Sequence, residues 1–203
     1  MCLVPRPEFD LYLASTSPRR RELLRRAGFV FALCEPGAEY VGDRDEHGAE
    51  VGDPAALAQE RAQRKATGAR PPERNVPVLG VDTVVDVDGL ELGKPRDRAD
   101  AERMLQQLLG REHRVHTAHY LVVPATGRAL AALATAAVVC GMPGKAELEH
   151  YLDSHEWGGK AGGYGIQDGA QTFFSVARGS KDTVIGLHVA AVADLLARVR
   201  AGS

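Results

Sequence analysis

The chain has 203 residues, and its 25 Lys and Arg residues nearly balance 27 Asp and Glu residues, for a net charge of −2. The chain therefore lacks the excess of basic residues that a protein coating nucleic acid usually carries. Its 5% aromatic residues are also few for base stacking in an RNA-binding module. The most apolar stretch, Leu130 to Cys140, is shorter than the ~20 residues of a membrane span. We therefore expect neither a nucleic-acid nor a membrane partner.

Cysteine usage and the N-terminus indicate a reducing compartment. Cys2, Cys34 and Cys140 show no Cys-x-x-Cys spacing, so neither a disulfide framework nor a zinc knuckle is predicted. The segment from Met1 to Asp10 lacks the apolar core of a signal peptide. We expect a cytoplasmic protein whose length suits a single domain over residues 1–203.

Strand and helix patterns alternate along the chain, with turn residues between them. In chain order, the first half predicts a strand at 11–14, a helix from Ser17 to Gly28, an irregular segment with at most one strand at 35–54, a helix from Asp53 to near 68, and strands at 76–87 and 90–92 around an Asp88-Gly89 turn. The second half predicts a helix from Asp97 to Leu109, strands at 115–123 and 129–139, a helix at 145–152, strands near 172–176 and 183–187, and a last helix to Arg200. This order predicts an α/β fold with a mixed, twisted central sheet flanked by helices.

A helix start with three hydroxyls before it is the first candidate site. The hydroxyls belong to Ser15, Thr16 and Ser17, and the first turn carries Arg19, Arg20 and Arg21. Unpaired N–H groups make a helix start attractive to anions, whereas each arginine there costs roughly 0.3–1 kcal/mol against the helix dipole. A bound polyphosphate would offset this cost, because guanidinium groups pair with phosphate oxygens. The alternative is a solvated helix face shared with Arg25 and Arg26.

Asp82 is the second candidate, because it lies in the middle of the strongest strand pattern. Side-chain alternation places Gly80, Asp82, Val84 and Asp86 on one face, and the glycine leaves room beside the carboxylate. Next to a phosphate site, this carboxylate would hold a divalent cation or orient a water molecule. The alternative is a half-exposed face on which Asp82 and Asp86 point to water.

Two further segments carry cations. Lys94 lies in the Gly93-Lys94-Pro95 turn, a weak signal by itself. Five glycines within 158–165 let backbone amides approach a ligand, with Lys160 and Gln167 nearby, although a flexible loop is the alternative. The glycine order matches neither a P-loop nor a dinucleotide-binding motif.

The histidines are weaker candidates. His113 and His119 are expected on one strand face and His116 on the other, so the three do not converge on one metal. His150 and His155 flank a helix end and are expected at the surface.

Taken together, these motifs resemble the Maf family of nucleoside triphosphate pyrophosphatases. The matching segments are LASTSPRRRELL (13–24), RAQRKA (61–66), LGVDTVV (79–85), LGKP (92–95), HRVHT (113–117), GKAGGYGIQ (159–167) and GLH (186–188). The resemblance implies a two-lobed α/β fold like the inosine triphosphatase group, with a cleft between the lobes. It also implies hydrolysis of a nucleoside triphosphate to the monophosphate and pyrophosphate, assisted by a divalent cation, Mg²⁺ or Mn²⁺.

The resemblance also implies roles for individual residues. Ser15, Arg19 and Arg20 would grip the phosphates; Asp82 would be the catalytic acid, as a metal ligand or as base for the attacking water; Lys65, Lys94 and Lys160 would be further cleft cations; Gln167 would read the substrate; and Glu39 would be a second metal ligand. The Arg19-Arg20 pair and the YGIQ segment are similar to the branch that prefers dTTP and UTP. His188, Val81 and Gly163 depart from the family pattern, which leaves fine specificity open.

A function from another class stays open at this point. The alternative is a non-catalytic nucleotide-binding regulator linked to cell division, which would bind nucleotide without turning it over. Whether the chain forms a homodimer is open as well.

Overall fold

A computed structural model describes residues 9–38 and 52–201. The strands are β1 (Leu11–Ala14), β2 (Phe31–Cys34), β3 (Val78–Val87), β4 (Leu90–Leu92), β5 (Glu112–Val122), β6 (Ala129–Cys140) and β7 (Phe174–Arg178). The helices are α1 (Pro18–Arg26), α2 (Pro54–Gly68), α3 (Arg98–Leu108), α4 (Lys145–Asp153), α5 (Lys181–Ile185) and α6 (Val189–Ala201). None of the helices in these two ranges has the length and apolarity needed to cross a bilayer.

The strands form one mixed sheet in the order β2-β1-β3-β5-β6-β7, with β4 also paired to β3. β1 is parallel to β2 and β3, whereas β3, β5, β6 and β7 are joined by antiparallel pairings. The predicted α/β fold with a mixed sheet flanked by helices is therefore confirmed.

Two local predictions were wrong. β2 at 31–34 was not predicted. The sequence predicted at most one strand in this region, within residues 35–54. The strand predicted at 183–187 is instead the short helix α5, which ends at Gly186 with φ of +124°. The β-branched residues of this segment favour a strand locally, but tertiary contacts decide: Thr183 is buried, and its carbonyl oxygen accepts a hydrogen bond from Thr117 Oγ1 at 2.7 Å.

A gap in strand pairing exposes one edge of β3. On this edge β1 pairs with residues 78–80 and β4 pairs with residues 85–87, so residues 81–84 have no strand neighbour there within the described ranges. Beyond Ala14 the chain leaves the sheet and enters α1. Asp82 and Thr83 therefore lie at an opening in the sheet, next to the carboxyl end of a parallel strand.

Helices cover both faces of the sheet around this opening. On one face, Ala58 and Ala62 of α2 pack against Val84 and Ala118. The other face carries two separate apolar clusters. One joins α1 and α6 to the sheet through Leu13, Leu24, Leu79, Val81 and Leu195; the other joins α3 and α4 to it through Val85, Leu105, Val115, Leu152 and Phe174. Val81 belongs to the first cluster and Val85 to the second, and Thr83 lies between them on the same strand face. Thr83 therefore lines a cleft between the two clusters.

Two histidines of β5 are buried in the fold. His113 and His119 are 3% and 1% exposed, and burial lowers the pKa of each to about 4. His119 Nε2 accepts a hydrogen bond from the backbone N–H of His188 at 2.9 Å. His116 lies on the opposite face, between Asp86 and Thr135. The alternation predicted for these side chains is therefore what the structure shows.

These pKa values predict that the free energy of unfolding falls as the pH is lowered from about 6.5 to about 4. In this window the unfolded histidines take up protons that the folded ones do not, so each contributes up to about 1.4 kcal/mol per pH unit, and above pH 6.5 they contribute no slope. Urea unfolding at a series of pH values measures the effect. His113→Gln should reduce the slope, whereas a change at the exposed His150 should not; equal slopes for wild type and His113→Gln would contradict the prediction.

Candidate active site

The cleft has a volume of about 780 Å³ and lies over the gap in β3. A small-molecule site typically occupies roughly 300–1,000 Å³. The cleft is lined by every predicted site residue within the described ranges, namely Ser15, Arg19, Arg20, Lys65, Asp82, Lys94, Lys160 and Gln167. Glu39 lies outside the described residues. The sequence therefore identifies side chains that the fold brings to one opening, although they come from well-separated parts of the chain.

Asp82 is buried beneath α2 and does not point to bulk water. Only 4% of the residue is exposed, and its Oδ1 is 2.5 Å from Lys65 Nζ. Asp82 Oδ2 has no hydrogen-bond partner among the described residues, and Arg61 Nη1 lies 3.8 Å from it. The alternative of a half-exposed sheet face is therefore wrong, and one oxygen of this carboxylate is buried without a hydrogen-bond partner among the described residues.

Asp86 shares the strand face of Asp82 but has a different role. It is 5% exposed, its Oδ1 accepts the backbone N–H of Gly89 at 2.7 Å, and its Oδ2 lies 3.1 Å from His116 Nε2. Asp86 thus stabilises the β3–β4 turn, and it does not line the cleft.

Arg20 crosses the cleft floor on the face opposite Asp82. Its guanidinium donates to the Gly186 carbonyl oxygen at 2.9 Å, to Ser15 Oγ at 3.2 Å and to Thr83 Oγ1 at 3.3 Å. A solvated helix face is therefore the wrong interpretation for Arg20. It is correct for Arg25 and Arg26, which are exposed.

A hydroxyl relay explains how Thr83 can accept from Arg20. Thr117 Oγ1 donates to the Thr183 carbonyl oxygen at 2.7 Å, so its proton is committed there. Thr83 Oγ1, 3.0 Å from Thr117 Oγ1, must then be the donor in that pair, which leaves its lone pairs to Arg20. The relay fixes the Arg20 guanidinium relative to three elements, β3, β5 and α5.

The start of α1 combines capping with open donors. Ser17 is the N-cap, and Ser15 Oγ accepts the Ser17 backbone N–H at 3.2 Å. Arg19 is half-buried, lines the cleft and makes no hydrogen bond or ion pair with the described residues. Its five N–H donors are therefore available to an anion in the cleft.

The opposite wall comes from the β4–α3 turn and the glycine-rich segment. Gly162, with φ of +67°, donates its N–H to the Gly93 carbonyl oxygen at 2.9 Å and so joins the two segments. Lys160 forms an ion pair with Asp168. Lys94 and Gln167 are exposed at this wall. The glycine-rich segment is thus tied into the fold and brings its side chains to the cleft.

Positive charge dominates the lining. Among the described residues, eight Arg and Lys residues and three acidic residues line the cleft: Arg19, Arg20, Arg61, Lys65, Lys94, Arg96, Arg103 and Lys160 against Asp82, Glu91 and Asp100. Low-dielectric walls lined mainly by one sign of charge concentrate the field, so the cleft suits a multiply charged anion.

Sequence reasoning assigned no role to five charged residues of this lining, and two of them, Arg61 and Glu91, are paired with each other. Arg61 precedes Lys65 by four residues, so helical spacing could have placed both side chains on one face of α2. Glu91 gave no comparable signal, because it meets Arg61 only when the β3–β4 hairpin folds against α2.

The fold and the cleft place this chain among α/β proteins with a ligand site at the carboxyl end of a parallel strand. The chain belongs to the Maf family: the family described as "Maf-like protein" matches residues 10–199.

Similar curated proteins cover nearly the whole chain. A protein of Bordetella parapertussis is 43% identical over 92% of this chain and 90% of its own length. Proteins of Alkalilimnicola ehrlichii and Ralstonia nicotianae are each 40% identical, over 94% and 95% of both chains respectively. All three relatives are named dTTP/UTP pyrophosphatase.

Proposed function

We propose that this protein hydrolyses a pyrimidine nucleoside triphosphate, dTTP or UTP or a modified form, to the monophosphate and pyrophosphate. The observation that carries the proposal is the convergence of cationic side chains around one buried, partly unpartnered carboxylate, Asp82. A triphosphate carries about four negative charges near neutral pH, which the lining can match. The names of the relatives support the choice of substrate class.

In the proposed reaction, water attacks the α-phosphorus. Asp82 Oδ2 orients the water by accepting a hydrogen bond and takes up its proton. The water oxygen bonds to the α-phosphorus while the bond to the bridging oxygen breaks, and pyrophosphate leaves. Arg19, Ser15 and the N–H groups at the start of α1 hold the leaving pyrophosphate, because these residues line the cleft and a helix start attracts anions.

A divalent cation, Mg²⁺ or Mn²⁺, fits the oxygen donors of this site. Asp82 Oδ2 lacks a hydrogen-bond partner among the described residues and has two lone pairs, so it could hold a hard cation with one lone pair while the other accepts the hydrogen bond of the water. Residues 9–38 and 52–201 contain no group of three or more His, Cys, Asp or Glu side chains arranged for a metal, so phosphate and water oxygens would complete the coordination. When bound, the cation would neutralise charge on the phosphates. Glu39, the second proposed ligand, lies outside the described residues.

The three lysines of the cleft and Gln167 would act on the rest of the substrate. We propose that Lys65, Lys94 and Lys160 pair with phosphate oxygens and that Gln167 contacts the base. Their support is their position along one lining, on both walls of the cleft. We further propose a cytoplasmic enzyme formed by a single two-lobed domain, with no nucleic-acid partner.

Product analysis tests the proposed reaction. Purified protein is incubated with Mg²⁺ and a panel that includes dTTP, UTP, ATP and GTP, and the products are separated by chromatography. We expect dTMP and UMP with pyrophosphate, and little turnover of the purine nucleotides. Release of free phosphate with dTDP would contradict the proposal, and calorimetric binding of dTTP without turnover would favour the non-catalytic regulator.

Arg20→Ala is expected to lower kcat/KM for dTTP roughly thirtyfold, since one charged hydrogen-bonding group contributes about 2 kcal/mol. Arg20→Lys should recover little of it, because an ammonium cannot reproduce the three contacts with Gly186, Ser15 and Thr83. Steady-state kinetics measure both variants. Arg25→Ala, on the exposed side of the same helix, is the matched control. Equal effects at both positions would contradict the role of Arg20 in holding the phosphates.

A further inference from the structure

Arg61 lies between two carboxylates at the edge of the cleft. Its Nη1 and Nη2 donate to the two Oε atoms of Glu91 at 2.6 and 2.8 Å, in a two-pronged pair. The same Nη1 is 3.8 Å from Asp82 Oδ2, which is beyond hydrogen-bond distance. The three side chains are 13%, 6% and 6% exposed, so water screens their interactions weakly.

The geometry sets up a competition for the Arg61 guanidinium. Two-pronged arginine–carboxylate pairs are among the stronger hydrogen-bonded arrangements in proteins, so Glu91 holds Arg61 at its present position. A shift of roughly 1 Å would bring Nη1 within hydrogen-bond distance of Asp82 Oδ2. Because Lys65 already binds Oδ1 of Asp82, this shift would leave both oxygens of the carboxylate paired with cations.

We infer that Glu91 is a positioning residue that withholds Arg61 from Asp82 and thereby keeps Asp82 Oδ2 open to water or to a cation. The inference rests on the proposed function for its effect on turnover, but the position of Arg61 follows from the contacts alone. The inference also explains a role of the β3–β4 hairpin, because β4 pairs with β3 at residues 85–87 and so fixes Glu91 at the cleft edge. A purely structural pair would instead serve only to tie α2 to the hairpin.

Removing the charge of Glu91 separates these two roles. In Glu91→Gln, we expect Arg61 to move to Asp82, kcat for dTTP to fall at least about tenfold, and KM to change less than kcat. A double variant, Arg61→Leu with Glu91→Leu, should have a kcat at least about threefold higher than Glu91→Gln, because it has no guanidinium to pair with Asp82 Oδ2 and because apolar replacement of a buried ion pair is often neutral for stability. A merely structural pair predicts that the double variant is no more active than Glu91→Gln.

Crystal structures of wild type and Glu91→Gln give a readout that does not depend on activity. We expect the distance from Arg61 Nη1 to Asp82 Oδ2 to shorten from 3.8 Å to about 3 Å in the variant. An unchanged distance, wild-type kcat in Glu91→Gln, or a double variant as impaired as the single one would overturn the inference. If Glu91→Gln does not fold, Glu91→Asp takes its place, because its shorter side chain cannot hold Arg61 in the same position.

Failure of the proposed function and failure of this inference give different experimental results. A wild-type enzyme without turnover of any nucleoside triphosphate would reject the proposed function, and the distance between Arg61 and Asp82 in the variant would still decide the role of Glu91. Conversely, an active wild type with unchanged Arg61 in Glu91→Gln would reject the inference alone.

Discussion

We expect the Asp82→Asn variant to hydrolyse dTTP about 10²–10³ times more slowly than the wild-type enzyme, with kcat affected more than KM. The amide has nearly the shape of the carboxylate but loses the negative charge that accepts the proton and attracts a cation. Among the described residues, Asp82 Oδ2 is the one buried side-chain oxygen without a hydrogen-bond partner. Steady-state kinetics with pyrophosphate detection measure the effect.

Asp86→Asn is the matched control for this prediction. Both acids are buried on the same face of β3, but Asp86 lies outside the cleft, and an asparagine there can still accept the Gly89 N–H. We expect this control to retain activity. Near-wild-type turnover in Asp82→Asn would mean that another group performs the chemistry.

The fold also predicts a stability change in Asp82→Asn that sequence alone would not suggest. Lys65 Nζ is 2.5 Å from Asp82 Oδ1 and is buried with it, so neutralising the acid breaks this buried ion pair. Breaking such a pair typically costs about 3–5 kcal/mol. Adding Lys65→Met to Asp82→Asn should restore much of the stability without restoring turnover, and urea unfolding distinguishes the two effects.

Local chemistry explains why so many element boundaries could be predicted from the sequence. Ser17, Asp53 and Asp97 are N-caps in the structure, and each side chain accepts a backbone N–H of the helix it starts. The Asp88-Gly89 turn has positive φ at both positions, as its residue types indicate. Such signals involve neighbours in sequence, so no knowledge of the fold is needed to interpret them.

The features that were missed depend on contacts between distant segments. Alternation treats Asp82 and Asp86 alike, yet only Asp82 lines the cleft, because the gap between β1 and β4 is a property of strand pairing. The pairing of Arg61 with Glu91 likewise requires α2 to lie against the hairpin. Motifs could therefore indicate which residues meet at the cleft, but not which of their charges are already paired.

Gly80→Ala is expected to lower the free energy of unfolding by about 3 kcal/mol and to reduce turnover at least tenfold. A Cβ at this position would lie 2.2 Å from the Ala62 carbonyl oxygen and 2.6 Å from the Ala66 backbone nitrogen, so α2 would have to move away from β3. Lys65, adjacent to Ala66 on this helix, would then be pulled from Asp82.

The matched control for this last prediction is Gly144→Ala, since a Cβ at that glycine meets no atom within 4 Å. Urea unfolding and dTTP turnover are measured on both variants, and only Gly80→Ala should lose both. The expected displacement moves the whole of α2. A double variant, Gly80→Ala with Ala66→Gly, would therefore remove only the contact with the Ala66 Cβ at 2.9 Å. The clashes with the helix backbone would remain, so this second change should restore little stability or activity. Full recovery in the double variant would show that side-chain crowding, and not the position of the helix backbone, sets the distance between Lys65 and Asp82.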